Sequence, residues 1–394
     1  MIDQYLECYR RDLLDSVIPF WLKHSLDRQM GGYFTCLDRD GSVYDTTKYM
    51  WLQGRAVYMF SRLYNELEPR QEFLDAAQLG VDFIRAHGKD SRGRVYFSLT
   101  RDGRPYFFQR KPYAGVFYMM GLLENYKATG QKELLDEAVD MFWLVRDWIN
   151  DPTLLDRPGM PGRLKCSNLA DVMVLASMVI DLSKVHSDER YVQVMQEAIA
   201  GVRRHFVAGR RILVENVALD GSDISPHPEG RLFNPGHSIE VCWFLLHLVE
   251  RLKAMGQAED HSGTLNLALE ALEGSLQAGW DEQFGGLFYF MDLAGLPTLQ
   301  LESSMKLWWP HTEAIYALVL AWKLTGQERW LFWLQRVHQY AYSHFADPQM
   351  GDWFGYCDRL GNLTHTCKGG NYKGFFHVPR FLLMSIQAIE GRAL

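Results

Sequence analysis

Asn234-Pro-Gly-His-Ser-Ile-Glu240 reads as the opening of a helix. Asn234 can cap it, Pro235 suits the first helical position, and His237 then falls in the first turn with Glu240 three residues on, on the same face. Five further stretches share this character: Trp51-Leu-Gln-Gly-Arg55, Arg110-Lys-Pro-Tyr113, Lys165-Cys-Ser-Asn168, Trp308-Trp-Pro-His311 and Phe375-Phe-His377-Val-Pro379. With Arg55, Tyr113, Asn168, His237, His311 and His377 as markers, the steps are 58, 55, 69, 74 and 66 residues. Such a period predicts six repeated helical units around one axis. If the six starts converge, two imidazoles, an arginine and several carboxylates share one pocket.

A second repeat runs in step with the first. Asp27-Arg-Gln-Met-Gly-Gly-Tyr-Phe34, Asp281-Glu-Gln-Phe-Gly-Gly-Leu-Phe288 and Asp347-Pro-Gln-Met-Gly-Asp-Trp-Phe354 are copies of one motif, with Asp90 to Phe97 as a weaker fourth. Each leads into an alternating apolar stretch and a turn such as Asp40-Gly41, Asp102-Gly103 or Leu360-Gly361, which predicts short hairpins between helices on one rim. Apolar positions at three- and four-residue spacing predict helices over 56–66, 73–87, 115–129, 133–149, 171–185, 191–206, 239–255, 265–278, 313–325, 330–345 and 379–390. With the stretch 5–24 these make six pairs. The helices from Ala56, Ile239 and Glu313 are apolar on most of their circumference and are expected inside. The fold class is all-α, an (α/α)6 barrel with short β-hairpins on one rim; an open solenoid gives no reason for a hairpin per unit or for His, Arg and Glu at equivalent ends.

At 394 residues, 47% apolar and 13% aromatic, the chain can bury a large core, and no low-complexity linker divides it. Residues 1–394 are therefore expected to form a single catalytic domain. A net charge of −7, with scattered basic pairs, gives no footprint for nucleic acid or an anionic membrane and favours a small-molecule ligand. Six cysteines without CxxC or zinc-ligand spacing read as reduced. The start Met1-Ile-Asp-Gln-Tyr-Leu-Glu7 lacks a basic-then-apolar leader, and no apolar stretch approaches the roughly 18 residues of a membrane span, so a cytoplasmic location is expected.

The chemistry concentrates at the marked helix starts. A helix N-terminus disfavours imidazolium, whereas a carboxylate beside the ring opposes that shift and orients it, so His237 with Glu240 is placed to exchange a proton near neutral pH. His377 occupies the matching position after a Gly-rich turn, flanked by Lys373 and Arg380. Trp308 and Trp309 offer faces on which sugar C–H groups stack, and Glu313 can bind hydroxyls or hold a histidine. Arg55 can stabilise a developing enolate oxygen. Lys306, Lys373, Tyr113 and Arg231 are the further candidate binding residues. A metal reading of His237, Glu240, His311, Glu313 and His377 is set aside, because no HExxH-like pair puts two histidines on one face and Arg55, Lys306 and Lys373 oppose a dication. No GxSxG elbow, Walker A loop or GxGxxG after a strand is present.

These segments carry a resemblance. Gly31-Gly-Tyr-Phe-Thr-Cys-Leu-Asp-Arg39, Lys48-Tyr-Met-Trp-Leu-Gln53 with Arg55, Asn234 to Glu240, Lys306-Leu-Trp-Trp-Pro-His-Thr-Glu313 and Lys368-Gly-Gly to Phe376-His-Val-Pro-Arg380 resemble the N-acylglucosamine 2-epimerase family, which also includes cellobiose 2-epimerases and aldose–ketose isomerases. The resemblance implies an (α/α)6 barrel and deprotonation and reprotonation of a sugar at C2 through an enediolate. It assigns His237 and His377 as the two acid/base groups, Glu240 as the orienter of His237, Arg55 as the enediolate stabiliser and Glu313 as an aid to ring opening or hydroxyl positioning. It further implies a homodimer, no consumed cofactor and allosteric ATP; Pro158-Gly-Met-Pro-Gly-Arg-Leu-Lys165 could offer amides and cations to an anion or be a plain surface loop.

The run from Lys368 to Arg380, and the lack of a histidine in Asn168-Leu-Ala-Asp-Val-Met173, favour interconversion of N-acetylglucosamine and N-acetylmannosamine. Tyr113-Ala-Gly-Val-Phe117 departs from the pattern of that branch and keeps unmodified glucose, mannose and fructose as the alternative. A glycoside hydrolase using Glu240 and Glu313 is an alternative of another class, and a binding protein is a third.

Overall fold

A computed structural model describes residues 2–257 and 259–392; of the chain read as one domain, Met1, Ala258, Ala393 and Leu394 lie outside it. Helical turns run unbroken from Ile2 to His24, as a 3-10 turn, α1 (Leu6–Arg11), a π stretch (Asp12–Val17) and α2 (Ile18–His24). There follow α3 (Met50–Glu66), α4 (Gln71–His87), α5 (Tyr113–Thr129), α6 (Lys132–Asn150), α7 (Leu169–Ser183), α8 (Arg190–His205), α9 (Pro235–Ala254), α10 (Ser262–Gly279), α11 (Trp308–Thr325), α12 (Glu328–His344) and α13 (His377–Ile389).

α3, α5, α7, α9, α11 and α13 form the inner ring, each packed against the next. α4, α6, α8, α10 and α12 back the first five from outside. The inner helices are buried around most of their circumference, as α11 is from Trp308 to Ala321, whereas the outer ones bury one stripe. Among the described residues no helix follows α13 to back it. Its partner is the N-terminal stretch, with Tyr9 edge-on to Phe381 at 5.8 Å, so the two chain ends complete the sixth pair. α3 and α5 approach closely because a Cβ on Gly54 would lie 2.3 Å from the Phe117 carbonyl oxygen.

The inner helices begin earlier than their apolar periodicity suggests. α3 starts at Met50 rather than Ala56, and α11 at Trp308 rather than Glu313. Polar residues interrupt the apolar spacing there: Gln53 and His311 are buried against rim backbone, and Arg55 faces the cavity.

Each strand that enters an inner helix pairs antiparallel with a strand from the following inter-helix segment. Lys48–Tyr49 pairs with Ser98–Leu99, Cys166–Asn168 with Asn216–Ala218, Leu232–Phe233 with Met291–Asp292, and Lys306–Leu307 with Tyr356–Cys357. Three expected hairpins form, at residues 36–45, 98–107 and 356–365, each with a left-handed glycine in its turn (Gly41, Gly103, Gly361). The copy beginning at Asp281 does not make its own hairpin. Its strand Met291–Asp292 pairs with the entering strand Leu232–Phe233 on one edge, as the equivalent strands of the Asp90 and Asp347 copies do with theirs, but no described strand pairs on its other edge.

The repeated aspartates anchor this rim. Asp281 accepts backbone N–H bonds from Gln283 and Phe284, the ammonium of fully buried Lys306 at 3.1 Å, and the guanidinium of Arg359 from the next unit at 3.0 Å. Asp27 is held in the same way by Lys48 and Arg101, and Asp347 by Lys368 and Arg39. The arginine comes from the following unit each time, and for Asp347 the following unit is the first, so the ring closes in its ion pairs as well as its packing.

Lys306→Met is expected to destabilise the protein by about 3 kcal/mol, since Asp281 loses its buried cation. Arg359→Ala, which removes the half-exposed partner, is expected to cost under about 1 kcal/mol. Urea unfolding followed by circular dichroism checks both.

Candidate active site

The N-terminal ends of the inner helices surround a cavity of about 720 Å³. Arg55, Tyr113, His237, Glu240, Trp308, Trp309, His377 and Arg380 all face it, joined by Tyr289 and Tyr356 from the rim segments. Trp309 stands beside both imidazoles, with ring centroids 5.2 Å from His237 and 5.8 Å from His377.

His237 lies in the first turn of α9. Asn234 caps that helix by accepting the His237 N–H, as the sequence indicates. The carboxylate that orients the ring, however, is Glu215 and not Glu240: Nδ1 lies 3.0 and 3.1 Å from the two Glu215 oxygens. Glu240 shares the helical face, but its Oε1 accepts from Arg380 Nη2 at 2.6 Å, and the buried guanidinium outcompetes the imidazole for it. Glu215 is a site residue that motif reading missed. Its available signal was an acidic residue closing the apolar run Ile212-Leu-Val214, where a buried carboxylate needs a partner.

His377 opens α13, and its Nδ1 lies 2.7 Å from Glu313 Oε1. Glu313 therefore holds a histidine, one of its two expected uses. The same oxygen accepts from Arg380 Nη2 at 2.7 Å, and Glu313 Oε2 accepts from the Trp243 indole at 3.0 Å. With Nδ1 engaged by a carboxylate in each ring, Nε2 is left for a molecule in the cavity.

The two imidazoles are biased in opposite directions. Burial opposes protonation of His237, but Glu215, by charge and hydrogen bond, and Glu240 more than offset it and raise its pKa above the ordinary value. Burial, then Arg55 and Arg380, push His377 well below it against the weaker pull of Glu240. Glu313 gives little relief because its charge is shared with Arg380. Near neutral pH one ring is set to give a proton and the other to take one.

Arg55 is buried, its guanidinium 4.6, 4.1 and 4.6 Å from the ring centres of Trp51, Phe117 and Phe376. Its Nε has no hydrogen-bond partner among the described residues. Burial first, and Arg380 second, pull its pKa down to about 9. An unpaired cation held in this way is a ready receptor for an oxyanion.

Three candidate binding residues are not in the cavity wall. Lys306 is consumed by Asp281 beneath the rim, and Lys373 Nζ donates to Asp352 Oδ2 and the Lys368 carbonyl, each at 2.7 Å. Arg231 pairs with Asp292 and the Ser225 and Pro226 carbonyls. In all three a long cation reaches back to a rim carboxylate, because a buried charge needs a counter-charge more than a ligand. His311, the fifth repeat marker, is likewise structural: Nδ1 donates to the Leu307 carbonyl and Nε2 accepts the Leu287 N–H.

Glu240, Glu313 and His377 bring metal-ligand-type atoms within 4.8 Å of one another. Arg380 already supplies the positive charge at that point, donating to both carboxylates. The same bridge ties both carboxylates to one guanidinium, which leaves neither free to stand on opposite sides of a scissile bond as the hydrolase alternative needs.

The arrangement is that of a barrel enzyme that moves protons on a sugar, and comparisons agree. Residues 32–380 match the model of the N-acylglucosamine 2-epimerase (GlcNAc 2-epimerase) family. The N-acylglucosamine 2-epimerase of Mus musculus is 39% identical over 387 residues, covering 95% of this chain and 90% of that protein. Cellobiose 2-epimerase of Bacteroides fragilis is 23% identical, covering 95% of this chain and 96% of its own. Among solved structures, cellobiose 2-epimerase from Bacillus thermoamylovorans superposes with a TM-score of 0.84 at 21% identity, covering 98% of this chain and 99% of that one, a likeness of fold. The chain belongs to the N-acylglucosamine 2-epimerase family and is a carbohydrate epimerase, an isomerase.

Glu215→Gln is expected to lower the pKa of His237 by more than Glu240→Gln does. Titration of the imidazole resonances by NMR checks the order; equal shifts would return the orienting role to Glu240.

Proposed function

We propose that the protein interconverts N-acetylglucosamine and N-acetylmannosamine. The observation that carries this reading is the pair of oppositely biased imidazoles facing one cavity, each beside the Trp309 indole. The 39% identity to the mouse N-acylglucosamine 2-epimerase over nearly the whole chain supports the substrate.

In this direction His377 acts as the neutral base and His237 as the protonated acid. After the sugar ring opens, His377 Nε2 takes the proton from C2, and the C–H electron pair moves into a C1–C2 double bond as the carbonyl oxygen becomes an oxyanion. Arg55 stabilises that oxyanion. His237 Nε2 then protonates C2 on the opposite face, the carbonyl re-forms, and the configuration at C2 is inverted. The reverse direction starts from the exchanged protonation states. Glu215 and Glu313 position the two rings, Arg380 bridges Glu313 and Glu240, and Trp308, Trp309 and Tyr113 contact the sugar. Lys306, Lys373 and Arg231 drop out of the contact set.

Proton transfer of this kind consumes no cofactor. No described helix is long and apolar enough to cross a membrane, and all six cysteines are free thiols. We further propose a single catalytic domain over the whole chain, acting in the cytoplasm as a homodimer; allosteric ATP remains a proposal from family resemblance.

Incubation with N-acetylglucosamine is expected to give N-acetylmannosamine. Epimerisation of glucose or cellobiose with no turnover of the N-acetylated sugar would overturn the substrate assignment. His237→Asn and His377→Asn should each lower kcat by about 10²- to 10⁴-fold. The pH profile of kcat/KM should be bell-shaped. It should fall on the acid side as His377 protonates, at a pH well below its ordinary value, and on the alkaline side as His237 loses its proton, above its ordinary value.

A further inference from the structure

We infer that Asp352, acting through Lys373, is a positioning residue for His377. The inference rests on the reading of His377 as an acid/base group. One copy of the rim motif departs from its fellows: where the first and the Asp281 copies carry Gly32 and Gly286, the last carries Asp352. The backbone does the same work at all three places, the carbonyl accepting the N–H of Asp27, Asp281 or Asp347. All three residues are left-handed, with φ of 66°, 76° and 52°. Glycine takes that conformation freely, and aspartate takes it under strain. The rim itself therefore calls for no side chain here.

The Asp352 side chain is given to one partner. Its Oδ2 accepts from Lys373 Nζ at 2.7 Å, and its Oδ1 is buried with no hydrogen bond among the described residues. Both residues are 1% exposed. A buried ion pair of this kind adds little stability over an apolar pair of the same volume, so what it supplies is geometry.

That geometry leads to the imidazole by two routes. Lys373 Nζ also donates to the Lys368 carbonyl at 2.7 Å, and the Lys373 carbonyl accepts the Gly370 N–H, so ammonium and backbone together close the turn over 368–373. His377 follows four residues on. The helix of His237 has the Asn234 side chain as its cap, whereas α13 has no capping side chain, and the closed turn fixes where its first residue falls. The second route is through Trp308. A Cβ on Gly355 would lie 3.0 Å from Lys373 Cδ and 3.2 Å from Trp308 Cε3, so the lysine stem packs behind the indole that stands edge-on to His377 at 6.1 Å.

The test is the double variant Asp352→Gly/Lys373→Met, which restores the glycine of the other copies and leaves neither charge buried alone. It should unfold as cooperatively as the unmodified protein. With N-acetylglucosamine its kcat should fall about tenfold or more while KM stays within about twofold, as expected when a reacting group is misplaced by a fraction of an ångström. The primary isotope effect on kcat with substrate deuterated at C2 should grow, because proton abstraction then limits the rate more. A smaller loss of kcat in folded protein, or a loss taken up in KM, overturns the inference. Should the double variant not fold, Asp352→Asn carries the test: it tolerates left-handed backbone and keeps an acceptor for Lys373 without the charge, so kcat should fall about threefold or more at unchanged KM. A kcat equal to that of the unmodified protein overturns the inference there too. Full activity in His377→Asn would instead sink the reading of that histidine on which the inference rests.

Discussion

The Arg380 guanidinium, wedged between Glu240 and Glu313 at the centre of the ring, is the interaction on which the site depends. Both carboxylates are buried, and each is hydrogen-bonded to this guanidinium. Although burial opposes its charge, Glu313 and Glu240 hold Arg380 more firmly protonated than a free arginine. Its presence has two consequences. It fixes Glu313, which fixes His377, and by its charge it helps keep that imidazole neutral. Across the cavity His237 answers to Glu215, a carboxylate with no hydrogen bond to Arg380, and is biased toward the proton. The asymmetry between the histidines thus comes from burial, Arg55 and Arg380 acting on His377, against Glu215 and Glu240 acting on His237.

The barrel makes such placement routine. Helix starts converge because the strands entering α3, α7, α9 and α11 are each bonded to the following inter-helix segment, and, where the ring closes, because the N-terminal stretch backs α13. The buried Asp–Lys pairs, each covered by an arginine from the following unit, pin the rim from which these helices begin. Side chains in the first turn then point into one volume from six directions. The chemistry can be distributed over residues 322 positions apart, such as Arg55 and His377, and still meet within one cavity.

Much of this was legible in the sequence because repetition is legible. Equivalent positions announced His237 and His377, and the Asp-x-Gln-Met/Phe-Gly turns announced the rim. The misreadings share a cause. Lys306, Lys373 and Arg231 are cations beside site motifs, and sequence alone does not say whether a cation faces a ligand or turns back to a buried aspartate. Glu240 lies at the helical spacing that predicts contact with His237, but spacing does not register a stronger competitor arriving from α13. Glu215 was hidden because no motif surrounds it; only the tertiary fold brings the end of that short strand beneath α9.

The central claim is that two different imidazoles serve the two faces of one carbon. It is tested most directly by isotope content in the first turnovers in D₂O. With separate donor and acceptor, N-acetylmannosamine formed from N-acetylglucosamine should carry deuterium at C2 in essentially every molecule, while the unreacted N-acetylglucosamine keeps its protium. Protium carried from substrate into product at C2 would mean that a single group serves both faces, and would contradict the account.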